Sequence, residues 1–397
     1  MTTTLSARVQ RIQPSPTLAV SARADALIAA GKPVINLGVG EPDFDTPDFI
    51  KDAAIQALRQ GKTKYTAVDG TPELRKAIAQ KFQKDNELHY ELNQILVSCG
   101  AKHSLFNLFS ALLNEGDEVI IPAPFWVSYP DMVKLVDATP VIISTDINQQ
   151  FKLSSAQLAA AITPKTKLLV FNSPSNPTGV AYTADELRAL AEILLKHPNI
   201  MIVSDDIYEH TLFEGSEPFS NILMVCPELK DRCVIVNGAS KAYAMTGWRI
   251  GYAAGPTPLI AAMKKIQSQS TSNACSIAQA ATVAALHGDQ SCITTMTHAY
   301  KSRHDVVVNA LNEIEGVRCL PSQGTFYSFP SVAGVIERAS DIKNDLQLAD
   351  YLLEKADVAV VPGSAFGAEG YLRLSYATSM ENVVESMKRL KKGLEAI

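Results

Sequence analysis

Short runs of apolar residues, most of them branched and set between turn-forming residues, recur along the middle of the chain. They are Ile95-Leu96-Val97, Val119-Ile120-Ile121, Leu168-Leu169-Val170-Phe171, Ile200-Met201-Ile202-Val203 and Val234-Ile235-Val236. None alternates polar with apolar positions, so each predicts a strand buried on both faces. Between many of them the apolar positions fall at helical spacing instead, as in residues 183–196. Strand and helix in alternation predict an α/β fold with a mainly parallel sheet between helices. Upstream, Thr46-Pro47 reads as an N-cap followed by a first-turn proline. Ile50, Ala53, Ala54, Ala57 and Leu58 then repeat on one helical face, and Gly61 reads as the stop.

The pattern changes toward the C-terminus. Val358-Ala359-Val360-Val361 and Tyr371-Leu372-Arg373-Leu374-Ser375 read as strands, and a helix is expected from Met380 behind a Ser379 cap. An arginine in the last strand and several lysines in the last helix suggest a smaller, more exposed α+β unit, which the N-terminal segment is expected to join. The expected division is a large domain over residues 46–285 and a small domain from residues 1–45 and 286–397. A chain of 397 residues is longer than one core usually fills, which agrees with two domains.

Composition narrows the classes of function. The chain is 47% hydrophobic and 19% charged, as in an ordinary soluble globular protein, and its net charge of -5 offers no basic face for nucleic acid. No apolar run approaches the roughly 18 residues of a membrane span, and the first residues lack an apolar signal core, so a cytoplasmic location is expected. The six cysteines lack CxxC spacing and are expected to be free thiols; the seven histidines form no HExxH or clustered Cys/His pattern, so no metal site is expected.

In open parallel sheets, ligands bind beyond the carboxyl ends of the strands. Ser98-Cys99-Gly100-Ala101-Lys102 follows the first run and opens a helix, a place for a phosphate or simply a tight turn. Pro122-Ala123-Pro124-Phe125-Trp126 follows the second, with an indole that stacks on a flat cofactor or packs in the core. The third leads into Asn172-Ser173-Pro174-Ser175-Asn176-Pro177-Thr178-Gly179, a polar loop stiffened by two prolines that holds an asparagine or makes a surface turn. Asp205, after the fourth run, is a partner for a pyridinium nitrogen or a helix cap. Val234-Ile235-Val236 leads to Ser240-Lys241, and Arg249 lies eight residues further on. Lys241 can form a Schiff base with an aldehyde cofactor, and Arg249 offers a planar fork to a phosphate. Each feature is modest alone; together they are the set that a pyridoxal 5′-phosphate site requires.

Carried on these motifs, the chain resembles the class I aminotransferases of the fold-type-I pyridoxal-phosphate superfamily, subgroup Iβ, which includes bacterial aspartate aminotransferases. The resemblance runs from Pro14-Ser15-Pro16-Thr17 through Gly40-Glu41-Pro42-Asp43-Phe44 and Lys64-Tyr65 to Arg373-Leu374-Ser375-Tyr376. It implies that Lys241 carries the cofactor, Asp205 pairs with the ring nitrogen, Tyr208 and Asn176 bind the ring oxygen, and Trp126 stacks on the ring. It places Gly100, Ala101, Lys102, Ser240 and Arg249 around the phosphate, with Tyr65 reaching in from a second subunit of a homodimer. It assigns Gly40, Arg373 and Asn176 to the substrate α-carboxylate.

The implied reaction moves an amino group from L-aspartate to 2-oxoglutarate. No arginine lies in residues 267–273 to take a distal carboxylate. The Iβ pattern offers Ser15, Thr17 and Lys102 instead, with Pro16 altering the local geometry. The alternatives are a broader range that includes aromatic amino acids or prephenate, and a lyase on the same fold. A regulator fusing this fold to a DNA-binding domain is disfavoured, because the segment before Pro14 leaves no room for one. A nicotinamide dehydrogenase is disfavoured because Gly38-Val39-Gly40 lacks the third glycine and leads into Glu41-Pro42.

Overall fold

A computed structural model describes residues 3–397. Its twelve strands are β1 (Ile35–Asn36), β2 (Ile95–Ser98), β3 (Glu118–Ala123), β4 (Thr139–Ser144), β5 (Thr166–Asn172), β6 (Met201–Asp205), β7 (Cys233–Gly238), β8 (Gly251–Ala254), β9 (Tyr327–Ser328), β10 (Val358–Ala359), β11 (Val361–Pro362) and β12 (Leu372–Ser375). All five apolar runs are strands of one seven-stranded sheet, ordered β2-β8-β7-β6-β5-β3-β4. The pairs from β7 to β4 are parallel, and β8 runs antiparallel to both β2 and β7.

Side chains alternate between two cores. Ile95, Val97, Leu169, Ile202 and Ile235 pack with Leu74, Ile78 and Phe82 of the helix Pro72–Asn86. Their neighbours Leu96, Leu168, Val170, Val203 and Val234 pack with Leu105, Leu108 and Phe109 of the helix Ala101–Leu112. Burial on both faces is why these runs contain no polar alternation. At about 1.5–3 kcal/mol per fully buried aliphatic side chain, this sheet is a major source of stability. The helix Ala184–Leu195 shows the local logic: Thr183 caps it and Glu186 returns the hydrogen bond, completing a capping box.

Two strands of this sheet carry little signal. β8 reads Gly-Tyr-Ala-Ala, without branched residues, and β4 is a half-exposed edge strand whose Pro140 suits an edge.

In the C-terminal third, β1 pairs parallel with β10, while β11, β12 and β9 form an antiparallel sheet. A third core, including Leu37, Phe326, Tyr327, Leu374 and Val383, lies here. The run Val358–Val361 is therefore divided between two sheets, breaking at Val360, rather than forming one strand. The last helix is Met380–Glu395 with Ser379 as its cap. Thr46 does not cap the helix Asp48–Arg59; Pro47 is the N-cap. The Thr46 hydroxyl instead donates to the Ala244 carbonyl (2.6 Å) and accepts from the Trp248 indole (2.9 Å). The helix ends at Arg59, ahead of Gly61. Among the described residues, no helix is long and apolar enough to cross a membrane.

Candidate active site

Beyond the carboxyl ends of β5, β6 and β7 lies a cavity of about 560 Å³. Chain segments from both halves of the sequence line it, and its two ends differ in chemistry.

At one end the chain turns from β2 into the helix Ala101–Leu112 through Gly100, whose φ of +90° and ψ of 159° favour glycine. A Cβ there would lie 2.3 Å from the Arg249 Nη2, and one on Gly251 would lie 2.1 Å from the Ala101 nitrogen. Two missing side chains thus let a guanidinium and a helix N-terminus converge. Arg249, itself at φ +57°, donates to the carbonyls of Thr246 (2.9 Å) and Cys99 (3.3 Å). The first-turn N–H groups at Ala101 and Lys102 have no acceptor within the helix, the arrangement that favours an anion. Ser240 is buried and lines the same cavity.

In the middle, Asp205 ends β6 and is buried. Burial pushes its pKa up to about 6, against the hydrogen bond from Tyr129, the Ile207 N–H and the charge of Lys241. The Tyr129 hydroxyl donates to its Oδ2 at 2.6 Å. Asn172 staples the next loop: its Nδ2 donates to the Asp205 carbonyl (2.8 Å) and its Oδ1 accepts from the Asn176 N–H (2.9 Å). The Ser173-Pro174 and Asn176-Pro177 bonds are both cis. Trp126 lines the cavity and meets Tyr129 edge-on at 5.3 Å.

Lys241 donates from Nζ to the Gly40 carbonyl at 2.6 Å. Its pKa is pushed down to about 8, chiefly by burial; Arg373 and Arg249 add to the fall, while Glu41 and Asp205 oppose it. Glu41 is fixed alongside by a hydrogen bond from the Thr246 hydroxyl (2.8 Å).

At the other end stands Arg373 on β12. The sequence suggests an exposed strand, yet this arginine is only 2% exposed. Its Nη1 donates to Asn176 Oδ1 (3.1 Å), its Nη2 to the Gly38 carbonyl (2.6 Å), and its Nε is buried without a partner. Its guanidinium carbon lies 4.7 Å from the Tyr327 ring centroid and 5.1 Å from that of Phe366. Among the described residues no carboxylate pairs with it. A buried cation without a counter-ion is costly, and it suits a carboxylate brought from outside.

Of the residues picked out by the sequence, Gly40, Ala101, Lys102, Trp126, Asn176, Asp205, Tyr208, Ser240, Lys241, Arg249 and Arg373 line this one cavity, as does Thr17. Gly100 forms the floor of the cradle beside Arg249. Ser15 does not reach the wall; it precedes the helix Pro16–Ala29, and its hydroxyl lies 3.0 Å from that of Thr17. Tyr65 does not line the cavity and is 91% exposed. Three participants escaped the reading by sequence: Tyr129, Tyr327 and Glu41. Tyr129 follows Trp126 by three residues, across the turn that opens the helix Ser128–Leu135, which is the only signal that could have found it.

A lysine amine, a buried carboxylate and an anion cradle within one cavity define a site for a phosphorylated aldehyde cofactor held by lysine. The family model "Aminotransferase class I and II" matches residues 32–390. The aspartate/prephenate aminotransferase of Nitrosomonas europaea is 56% identical over 391 residues, covering 97% of this chain and 98% of its own. The aspartate aminotransferase of Rhizobium meliloti is 51% identical over 389 residues, covering 97% and 95%. A crystal structure of the Rhizobium meliloti aspartate aminotransferase superimposes with a TM-score of 0.96 at 49% identity, covering 99% of both chains. The Thermus thermophilus aspartate aminotransferase with maleate gives 0.93 at 44%, covering 99% of this chain and 100% of that one. The chain belongs to the class I and II aminotransferases. Its cofactor is pyridoxal 5′-phosphate. The residues present fit that group: the cradle exists only because Gly100 lacks a side chain, and the lysine amine faces the same cavity.

Proposed function

We propose that the protein transfers the amino group of L-aspartate to 2-oxoglutarate, giving oxaloacetate and L-glutamate. The observation that carries the aminotransferase reading is Arg373, a buried guanidinium that no carboxylate among the described residues pairs with, in the same cavity as the Lys241 amine. When bound, the cofactor supplies an aldehyde for the amino group and a ring that takes up the electron pair from the substrate Cα.

The chain's own residues do the rest. Arg249, Ser240 and the first-turn N–H groups at Ala101 and Lys102 would hold the phosphate, with Gly100 leaving room for it, and Trp126 would lie against the ring. Asp205 would keep the ring nitrogen protonated, while Tyr208 and Asn176 would donate to the ring oxygen. Arg373 exchanges its bond to the Gly38 carbonyl for a two-point contact with the α-carboxylate, with Gly40 and Asn176 alongside. The Nζ of Lys241, with a pKa near 8, is partly unprotonated at neutral pH and moves the proton from Cα. Burial of the site limits water at that step.

For the distal carboxylate, Lys102 is the candidate. Its Nζ lies 4.9 Å from the Trp126 ring centroid, and no carboxylate among the described residues pairs with it. Thr17 stands on the same wall, backed by Ser15. The exposure of Tyr65 supports a homodimer in which it reaches the partner's phosphate site. A division into domains over residues 46–285 and over 1–45 with 286–397, and a cytoplasmic location, complete the reading. A second reading, that prephenate is also a substrate, is favoured by the Nitrosomonas europaea relative, named for both.

The test is an absorbance titration of the purified holoenzyme. L-Aspartate should bleach the visible band of the lysine-bound cofactor, and 2-oxoglutarate should restore it. A band that aspartate leaves untouched would refute the aspartate assignment; bleaching without return on adding the keto acid would point to a lyase.

A further inference from the structure

Tyr327 on β9 is buried, and its side chain touches three parts of the site. Its hydroxyl lies 3.0 Å from that of Tyr208. Its ring centroid lies 4.7 Å from the guanidinium carbon of Arg373. A Cβ on Gly40 would fall 2.9 Å from its hydroxyl, so the Gly40 backbone closes over that group. Among the described residues the Tyr327 hydroxyl has no hydrogen-bond partner but Tyr208.

Each phenol has one proton to give. Burial pushes both phenols above their ordinary pKa, so both stay protonated. If the Tyr208 proton points to the cofactor's ring oxygen, the bond between the two tyrosines must be donated by Tyr327. The direction of the chain is then set: Tyr327 donates to Tyr208, and Tyr208 donates to the ring oxygen. Donation into the Tyr208 oxygen polarises its O–H and strengthens the outgoing bond. The strand pairing of Tyr327 with Ser375, and its ring against Arg373, hold it in place for this.

We infer that Tyr327 is a positioning residue that sets the direction and donor strength of Tyr208, and through it the proton balance of the lysine-bound cofactor. The inference rests on the proposed contact between Tyr208 and the ring oxygen.

The test is a pH titration of the visible absorption of the holoenzyme, without substrate, in four forms: wild type, Tyr327→Phe, Tyr208→Phe and the double variant. A donor on the ring oxygen favours its deprotonated form, so weaker donation retains the proton to higher pH and raises the midpoint. Tyr327→Phe should raise it by roughly 0.3–1 pH unit, the equivalent of one ordinary hydrogen bond. Tyr208→Phe should raise it further, and the double variant no further than Tyr208→Phe alone. A midpoint that moves in Tyr208→Phe but not in Tyr327→Phe would overturn the inference and leave the Tyr208 contact standing. Additive shifts would overturn it as well, since Tyr327 would then act independently. A midpoint unmoved by Tyr208→Phe would instead remove the Tyr208 contact and the inference with it. Phenylalanine keeps the ring against Arg373, so cofactor uptake should match wild type; a variant that takes up none would make Tyr327 merely structural and refute the proposal.

Discussion

Replacing Arg373 by lysine separates charge from geometry. The guanidinium presents three nitrogens: Nη1 on Asn176, Nη2 on the Gly38 carbonyl, and Nε with no partner among the described residues. A carboxylate can take two of these at once, whereas lysine offers a single nitrogen on a different stem. The variant therefore loses at least one charge-assisted hydrogen bond to the substrate, about 1.5–3 kcal/mol, which corresponds to a fall of roughly 10- to 150-fold in kcat/KM for aspartate. It also loses the flat contact of the guanidinium with the Tyr327 ring. The assay is the steady-state rate with oxaloacetate coupled to its reduction, beside a single-turnover measurement with an amine that has no carboxylate. That amine should react as fast as with wild type. A companion variant, Arg373→Met, should abolish turnover. It removes a buried cation that has no counter-ion among the described residues while also losing the bonds to Asn176 and the Gly38 carbonyl, so the melting temperature of the cofactor-free protein should change little. The reasoning is refuted if Arg373→Lys keeps kcat/KM for aspartate within threefold, or if both substrates lose equally.

Lys102→Ala should raise KM for aspartate several-fold more than for alanine, which lacks a distal carboxylate; equal changes in a steady-state comparison would exclude that role. Tyr129→Phe removes the 2.6 Å donor to Asp205, so the Asp205 pKa rises above about 6 and its carboxylate is lost at higher pH as acid is added. The acid limb of the kcat/KM profile should move up by about 1–2 pH units; an unmoved limb would dismiss Tyr129. Gly100→Ala forces a Cβ to within 2.3 Å of Arg249 and strains a backbone at φ +90°. The cost of about 1–3 kcal/mol should weaken cofactor binding to the cofactor-free protein by roughly 5- to 150-fold, and a dissociation constant unchanged in a fluorescence titration would count against the cradle.

The central strands were legible because residues buried on both faces must be apolar, and the strand ends then pointed to Trp126, Asn176, Asp205 and Lys241. β8 was not legible, since its Gly-Tyr-Ala-Ala owes its place to close backbone approach rather than to propensity. For Arg373 only the resemblance pointed to the substrate, while the pattern of the strand pointed to exposure. A charge within a strand reads as exposure, and only the tertiary fold shows it enclosed by Tyr327, Phe366 and the Gly38 carbonyl. The Thr46 cap failed because a tertiary partner, the Ala244 carbonyl, competed for the hydroxyl. Tyr129 and Tyr327 left almost no trace in the pattern, because an aromatic residue near a core is expected whether or not its hydroxyl is in use.

The bond between Arg373 and the Gly38 carbonyl joins residues 335 positions apart. On a ribosome, the chain that carries Gly38 waits through nearly the whole of synthesis before its partner is made. Lys241, Asp205 and the cradle of Gly100 and Arg249 all precede Arg373 in the chain. β12 is also the middle strand of the β11-β12-β9 sheet, so the same strand that completes that sheet carries Arg373 into the cavity. One hydrogen bond thus ties the segment that follows β1 to a strand near the other end of the chain, at the wall of the cavity.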